Sequence, residues 1–341
     1  MNLSGNYMNP ARKKILIVLG LPLIISVLLI INLGTVNEWM ELKGVVLRQA
    51  IVTGILTGGV LSLVAMGLTL IFGVLDIINF AHGALMTVGM YITFVLYDRF
   101  GVDPYLSLVV TIPALFLIGV LVQRFIIHPA RNAPPHNQLL LTLGLAVFIE
   151  NLLLVIFKAT PHFIRLDYAR GGTQIGPFTI DFPLRIYGTT ITMEKLAAFI
   201  FAIVLAVVLY LLLQRTDLGK AIRATAQDKE GAALVGINVD RISLITFGLG
   251  TACVGAAASV VLPFFIVDPV AGNTFNITAF VIVVLGGMGS IPGAVLGGLV
   301  VGLTQELAVV FLPSSTKLLG VFIIFVLVLL FRPQGLLGTK Q

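Results

Sequence analysis

The sequence predicts an all-α fold, a polytopic bundle of membrane-crossing helices forming one transmembrane domain over residues 1–341. Three observations carry this reading. Apolar residues make up 58% of the chain and charged residues 11%, with a mean hydropathy of +1.08, whereas a soluble domain carries roughly 25% charged residues. A soluble core built from 341 residues would need far more polar surface to cover it. The apolar residues also fall in runs of about 20, the length at which a helix crosses the hydrocarbon. Finally, the basic residues are scattered over the connections, with no Lys/Arg run longer than Arg12-Lys13-Lys14. The formal charge of +6 therefore reads as loops held on one side of a membrane, not as a nucleic-acid surface.

The first run, 15–33, follows Arg12-Lys13-Lys14 in the manner of a signal peptide. It is long, and no small-x-small cleavage site follows it cleanly, so a retained span with a cytoplasmic N-terminus is expected. Further spans are expected at 50–74, 80–97, 105–125, 138–157, 196–213 and 242–267. The tract 277–312 is too long for one crossing. Gly286-Gly287-Met288-Gly289-Ser290-Ile291-Pro292-Gly293 divides it into a short segment and a full span, and a last span covers 318–331. This gives about ten membrane segments with both termini cytoplasmic. The rival count is eight full spans, with 80–97 or 277–288 re-entrant. The inside then holds Arg124, Arg131, the five basic residues of 214–241, Arg332 and Lys340.

The largest outside piece is the loop 158–195. Its alternation in Phe178-Thr179-Ile180 and Leu184-Arg185-Ile186-Tyr187 suggests a small hairpin, and Thr192 is placed to cap the following helix. The loop is either a solvated connector or a docking surface for an external partner.

Two breaks interrupt the apolar pattern. In the first, Asp76 or Asn79 can cap a helix beginning near Phe80, which puts His82 in its first turn near the membrane boundary. Asn79, His82 and Gly83 then either tie two helices together or line a solute path, as broken helices do in transporters. Gly286, Gly287 and Gly289 mark the second break. The segments 79–93 and 290–304 share a weak pattern of a break followed by Gly-Ala and an apolar helix. The pairs Gly54-x3-Gly58, Gly293-x3-Gly297 and Gly298-x3-Gly302 predict close helix packing.

Glu150 and Glu306 fall well inside expected spans. A carboxylate at such depth is neutral, paired or facing water; interhelical hydrogen bonding and proton coupling are the two readings. The chain has no H-E-x-x-H, G-x-S-x-G or Walker-type G-x-x-x-x-G-K-[ST]. Its four histidines lack metal-ligand spacing, and Cys253 stands alone in an apolar run. An intramembrane enzyme therefore has no nucleophile or metal constellation to work with. No cofactor is expected in this chain, and if ATP drives it, another chain must bind the nucleotide.

One polar, Ala-rich stretch lies between two apolar runs, within the loop 214–241. Thr216 or Asp217 can cap a short helix over 218–227, Asp228 can cap a second, and Gly236 can end it. Asn238 or Asp240 then starts the next span. Gly219, Ala221, Ala224 and Ala226 give this segment a compact surface, which a plain solvated loop does not need.

The segments GLTLIFGV, NFAHG, GKAIRATAQDKEGAALVGINVDR, GGMGSIPGAVLGG and FRPQGLLG stand in this order along the chain. Together they resemble the permease family of branched-chain amino acid ABC importers (the LivH type), from about Ala50 onward. The resemblance implies an ABC importer permease working by alternating access in a bacterial inner membrane. It implies a second permease subunit, two cytoplasmic ATPase subunits carrying ATP and Mg, and a periplasmic or extracellular solute-binding protein. It also makes the loop 214–241 the segment that couples to the ATPases, with Asp217, Gly219, Arg223, Ala224, Ala226, Asp228, Glu230 and Gly236 as its candidate residues. The first span and the loop 158–195 exceed the most compact members. Related permeases handle other amino acids, urea and short amides. The alternative of another class is an ion-coupled carrier using Glu150 or Glu306.

Overall fold

The computed structural model describes residues 36–164, 166, 173–175, 178–180, 183–186, 189–311, 313, 316–332 and 334–337. The first expected span, 15–33, lies outside them. Helix α1 covers Val36–Leu75, α2 His82–Phe100, α3 Leu108–Val122, α4 Pro135–Phe157 and α5 Met193–Arg215. Two short helices, α6 (Asp217–Gln227) and α7 (Lys229–Leu234), precede α8 (Val239–Val261), α9 (Gly272–Gly286), α10 (Ile291–Phe311) and α11 (Lys317–Phe331).

Six helical stretches among the described residues are long and apolar enough to cross a bilayer: Gly44–Leu75, Leu108–Ala130, Pro135–Phe157, Met193–Arg215, Val239–Phe264 and Ile291–Phe311. Gly272–Gly286 and Lys317–Phe331 are apolar but shorter. The described residues thus do not confirm the count of ten segments. At 15 residues each, α9 and α11 are about 22 Å long, short of a hydrocarbon core of about 30 Å.

Burial sorts the helices. In α1 and α8, 78% of the membrane window is buried, against 22% in α5 and 28% in α4. These two central helices meet where Gly67 lies against the Gly250 carbonyl, so that a Cβ on either residue would collide with the other helix. Along its earlier turns α1 packs on α10. A Cβ on Gly58 would stand 2.9 Å from the Gly298 oxygen, and one on Gly54 would stand 2.8 Å from the Leu303 Cα. Ser62 Oγ donates to the Gly58 carbonyl at 2.7 Å and lies 3.0 Å from the Val295 carbonyl of α10. The small-residue pattern therefore becomes backbone-to-backbone contact, as lipid-embedded helices require.

Helix α8 also receives α3 and α2. Thr251 Oγ1 reaches the Leu115 carbonyl across the α3 contact at 2.9 Å. Thr93, Ser107, Thr111 and Ser259 form a buried hydroxyl cluster joining α2, α3 and α8, with Thr93 Oγ1 2.8 Å from Ser259 Oγ. Each hydroxyl finds a partner inside the bundle, where water cannot supply one.

Local signals fix the helix ends. Gly101, at φ 64°, closes α2 by giving its N–H to Leu96 and Tyr97, the left-handed ending that glycine suits. Asp76 ends α1 in the same region, at φ 59°, with its N–H on the Phe72 carbonyl. It is therefore a helix terminator and not the cap of α2, which begins at His82, two residues after Phe80, with no side-chain capping bond. Thr192 stands at the start of α5 in an extended conformation, but its hydroxyl makes no capping bond.

The loop 158–195 holds two hairpins where one was expected. Strand β1 (Thr173–Ile175) pairs with β2 (Phe178–Ile180), and β3 (Leu184–Ile186) with β4 (Thr189–Ile191), both antiparallel. The two alternating stretches each pair with a near neighbour instead of with one another, because only two residues separate the strands of each hairpin. The Gln49 side chain of α1 bonds both the N–H and the carbonyl of Thr190 at the edge of β4.

Replacing Gly58 or Gly302 with Leu should force α1 from α10 and destabilise the protein by about 1–3 kcal/mol, the usual scale of overpacking. Gly144→Leu, at an exposed site with nothing within 4 Å of its added Cβ, should leave thermal unfolding in detergent unchanged.

Candidate functional site

The polar segment after α5 folds as two capped helices. Thr216 Oγ1 accepts from the Gly219 N–H at 3.0 Å, and Asp228 Oδ1 accepts from the Glu230 N–H at 3.0 Å. Asn238 opens α8 in the same way through the Arg241 N–H, and Gly236 ends α7 at φ 88°. Lys220 bonds Asp217 at 2.9 Å, and this bond holds the Asp217 carboxyl below the usual carboxylate range. The pair is thus intact at neutral pH and is lost only as pH falls through that lowered value.

Helix α6 is amphipathic. Gly219, Ile222 and Thr225 are buried, while Asp217, Arg223 and Ala226 are exposed and Ala224 is half-buried. Gly219 lies so close to the Leu212 and Leu213 carbonyls that a Cβ there would collide with the end of α5. It is therefore a hinge-packing residue and does not belong to the outer surface of α6. Glu230 is exposed on α7, and beyond it stand two bare apolar side chains, Leu234 and Val235, 88% and 77% exposed.

Two contacts tie this segment to the membrane helices. Lys229 Nζ bonds Asp76 Oδ2 at 2.7 Å and the Leu75 carbonyl at 3.2 Å. A cation at a helix C-terminus is favourable to the helix dipole, so the start of α7 is fastened to the end of α1. A cleft is also shared by Ile222, Arg223 and Ala226 of α6 with Gly289, Ser290 and Pro292 of the second break.

At the first break, Asn79 and His82 are completely buried. Asn79 Oδ1 accepts from the Ala81 N–H, and His82 Nε2 lies 3.0 Å from the Val64 carbonyl. Because Val64 lies about three turns before the end of α1, the chain after Leu75 doubles back and α2 begins part-way along α1. Gly83 packs against Gly272 without room for a Cβ on either. Asn276 completes the junction: its Oδ1 accepts from the Gly83 N–H and its Nδ2 donates to the Phe80 carbonyl. Thr142 of α4 bonds the Phe80 N–H and the Ile78 carbonyl.

At the second break, Gly286 packs on Gly293, while Gly287 and Gly289 take φ of 101° and 82°. The N–H groups of Leu336 and Leu337 bond the Leu285 and Gly286 carbonyls at 2.8 and 3.0 Å. The chain following α11 thus closes the free end of α9.

The structure brings the first break to a cavity of about 660 Å³ between α4, α9 and α11. Phe80, stacked on Phe280 at 5.2 Å, reaches its wall, together with Glu150, Asn273, Asn276 and Phe325. Asn79, His82, Gly83 and the glycines of the second break do not line it. Glu150 is half-buried on this wall, and Glu306 is half-buried on α10 away from it. Neither carboxylate makes an interhelical hydrogen bond among the described residues. An ionised carboxylate turned to lipid near the middle of a helix costs about 3 kcal/mol on insertion scales.

Sequence reasoning missed Phe80, Thr142, Asn276 and the Lys229–Asp76 pair. Asn276 falls just outside the tract expected from 277, although a lone Asn beside an apolar run is itself a signal for a buried amide.

Residues 50–331 match the family described as branched-chain amino acid transport system / permease component. The chain is 30% identical over 306 residues to the high-affinity branched-chain amino acid transport system permease protein BraD of Pseudomonas aeruginosa, covering 86% of this chain and 96% of that one. It is 30% identical over 302 residues to LivH of Salmonella typhimurium, with the same coverages. It is 26% identical over 301 residues to LivM of that organism, covering 82% of this chain and 68% of LivM. LivH and LivM are both described as high-affinity branched-chain amino acid transport system permease proteins. No solved structure matches the chain.

Asn276→Ala should strand the Gly83 N–H and the Phe80 carbonyl and cost about 1–3 kcal/mol, read as a lowered thermal midpoint in detergent. Asn273→Ala, at an exposed position on the same helix, should leave that midpoint in place.

Proposed function

The chain belongs to the family of branched-chain amino acid transport system permease components, and from that membership we propose that it is the membrane-spanning subunit of an ATP-driven importer of branched-chain amino acids. Its partners are a second permease chain, two cytoplasmic ATPase subunits that bind ATP and Mg, and an external solute-binding protein. It sits as a multi-pass protein in the bacterial inner membrane with both termini in the cytoplasm. The similarity to both LivH and LivM favours pairing with a non-identical permease.

The observation that carries this reading is the capped helix pair α6–α7. It presents Arg223, Ala226, Glu230, Leu234 and Val235 outward, and it is fastened inward to α1 through Lys229. An ion-coupled carrier has no evident use for such a segment. In the transport cycle, closure of the ATPases presses on α6–α7. The displacement passes through the Asp76–Lys229 bond to the α1–α2 break and through the shared cleft to the turn at 289–292. Alternating access follows if the two arrangements of these breaks differ in affinity for the solute.

Uptake of leucine into vesicles holding the assembled transporter should require ATP and the binding protein. Accumulation driven by an ion gradient through this chain alone would overturn the proposal. Leu234→Glu should abolish co-purification of the ATPases while membrane insertion persists. Lys229→Ala should keep the ATPases bound but lower uptake several-fold. Both partners of that ion pair are substantially exposed, so its removal costs stability only about 0.2–1 kcal/mol. A loss of uptake would then report coupling and not unfolding.

A further inference from the structure

We propose that the cavity between α4, α9 and α11 is a transient binding site for the amino acid itself, with Glu150 holding the substrate ammonium and Phe80, Phe280 and Phe325 enclosing its alkyl side chain. This inference rests on the permease reading above and adds to it a site and a chemistry.

The cavity has the size and composition for such a ligand. Its volume of about 660 Å³ falls within the range of small-molecule sites and leaves room for one zwitterion with accompanying water. Its walls are chiefly apolar, from Leu143, Ala146, Ile277 and four phenylalanines, Phe322 beside the three already named. Glu150 stands on the α4 wall with no counter-cation among the described residues. A carboxylate so placed requires a cation, a proton or water rather than lipid, and the ammonium of an amino acid supplies the first.

The opposite charge of the zwitterion also has a place. Asn273 stands on the α9 wall in that helix's first turn, exposed, and its side chain makes no hydrogen bond among the described residues. Its amide can donate to a carboxylate, and the N-terminal end of α9 carries the favourable sign of helix dipole. Asn276 contributes differently. Its amide is already committed to Phe80 and Gly83, so it positions Phe80 on the cavity wall.

The site also lies where it can be emptied. Phe80 belongs to the connection between α1 and α2, whose first residue, Asp76, is held by Lys229. A displacement of α7 therefore acts on the segment that supplies one wall. The ligand needs only weak retention here, since a path must release what it admits.

The test uses the transporter assembled with its second permease, ATPase and binding-protein subunits in vesicles. Glu150→Gln should lower leucine uptake about tenfold or more, as expected when a charge-assisted hydrogen bond is lost. Glu150→Asp should restore part of it, and both should retain ATPase association. Phe280→Trp, which narrows the apolar end, should reduce leucine and isoleucine uptake more than valine uptake. If wild-type vesicles take up no amino acid, the permease reading fails. If they do and Glu150→Gln matches wild type in rate while Phe280→Trp matches it in preference, the binding site alone is overturned. As a measurement independent of transport, Glu150→Cys in a Cys253→Ala background should react with a cationic thiol reagent, and leucine delivered during turnover should slow that reaction. Labelling only by a lipid-soluble maleimide, or labelling indifferent to leucine, would overturn the site by placing the cavity against lipid or a partner helix.

Discussion

Helices dissolved in lipid gain no hydrophobic advantage from touching one another, so their association must come from close contact and satisfied polar groups. In this protein that requirement is met by backbone approach at glycines. Gly58 with Gly298 and Gly302, Gly67 with Gly250, Gly83 with Gly272, and Gly286 with Gly293 each bring two helices together at a distance that excludes a Cβ. Other features depend on these contacts. The His82 ring reaches the Val64 carbonyl beside Gly67, where an added Cβ would crowd the ring at 3.2 Å. The Asn276 amide can join Phe80 to Gly83 only because α9 lies against the start of α2.

The same close packing bears on the coupling proposed for the polar segment. Cores at this density have few intermediate arrangements and shift as units. Helix α6 rests on the end of α5 through Gly219, α7 is tied to the end of α1 through Lys229, and the cleft below α6 opens on the 289–292 turn. A load on the exposed residues of α6–α7 therefore has only a few places to go, and two of them are the interruptions in the membrane helices.

Much of this was legible in the sequence because it rests on local rules. Thr216, Asp228, Asn238 and Gly236 take the capping and ending roles their types suit, and the Gly-x3-Gly spacings become helix contacts. The misreadings turn on partners that the local pattern does not name, whether near in sequence or remote. Asp76 has a side chain suited to capping, yet Lys229, far along the chain, claims it. Phe178–Ile180 and Leu184–Ile186 both alternate, but nothing in the alternation says which strand each prefers. Gly219 reads as a small surface residue until α5 is folded against it. Polarity and helix breaks point to Asn79, His82 and the glycines as path residues, whereas Asn79 and His82 are completely enclosed and the residue between them that meets open space is Phe80.

Helix α9 is the element on which these lines converge. It is too short to span the hydrocarbon unaided, and both of its ends are held by glycine contacts, Gly272 on Gly83 and Gly286 on Gly293. Its last carbonyls are closed by Leu336 and Leu337 instead of by its own continuation. Between those ends it gives the cavity Asn273, Asn276, Ile277, Phe280, Val281 and Val284. A short rigid rod clamped at both ends moves only when a clamp moves. The Gly286 clamp adjoins the turn that borders α6, and the Gly272 clamp adjoins the break fastened to α7. A rearrangement that reached either clamp would therefore move α9, and with it the wall of the cavity that α9 supplies.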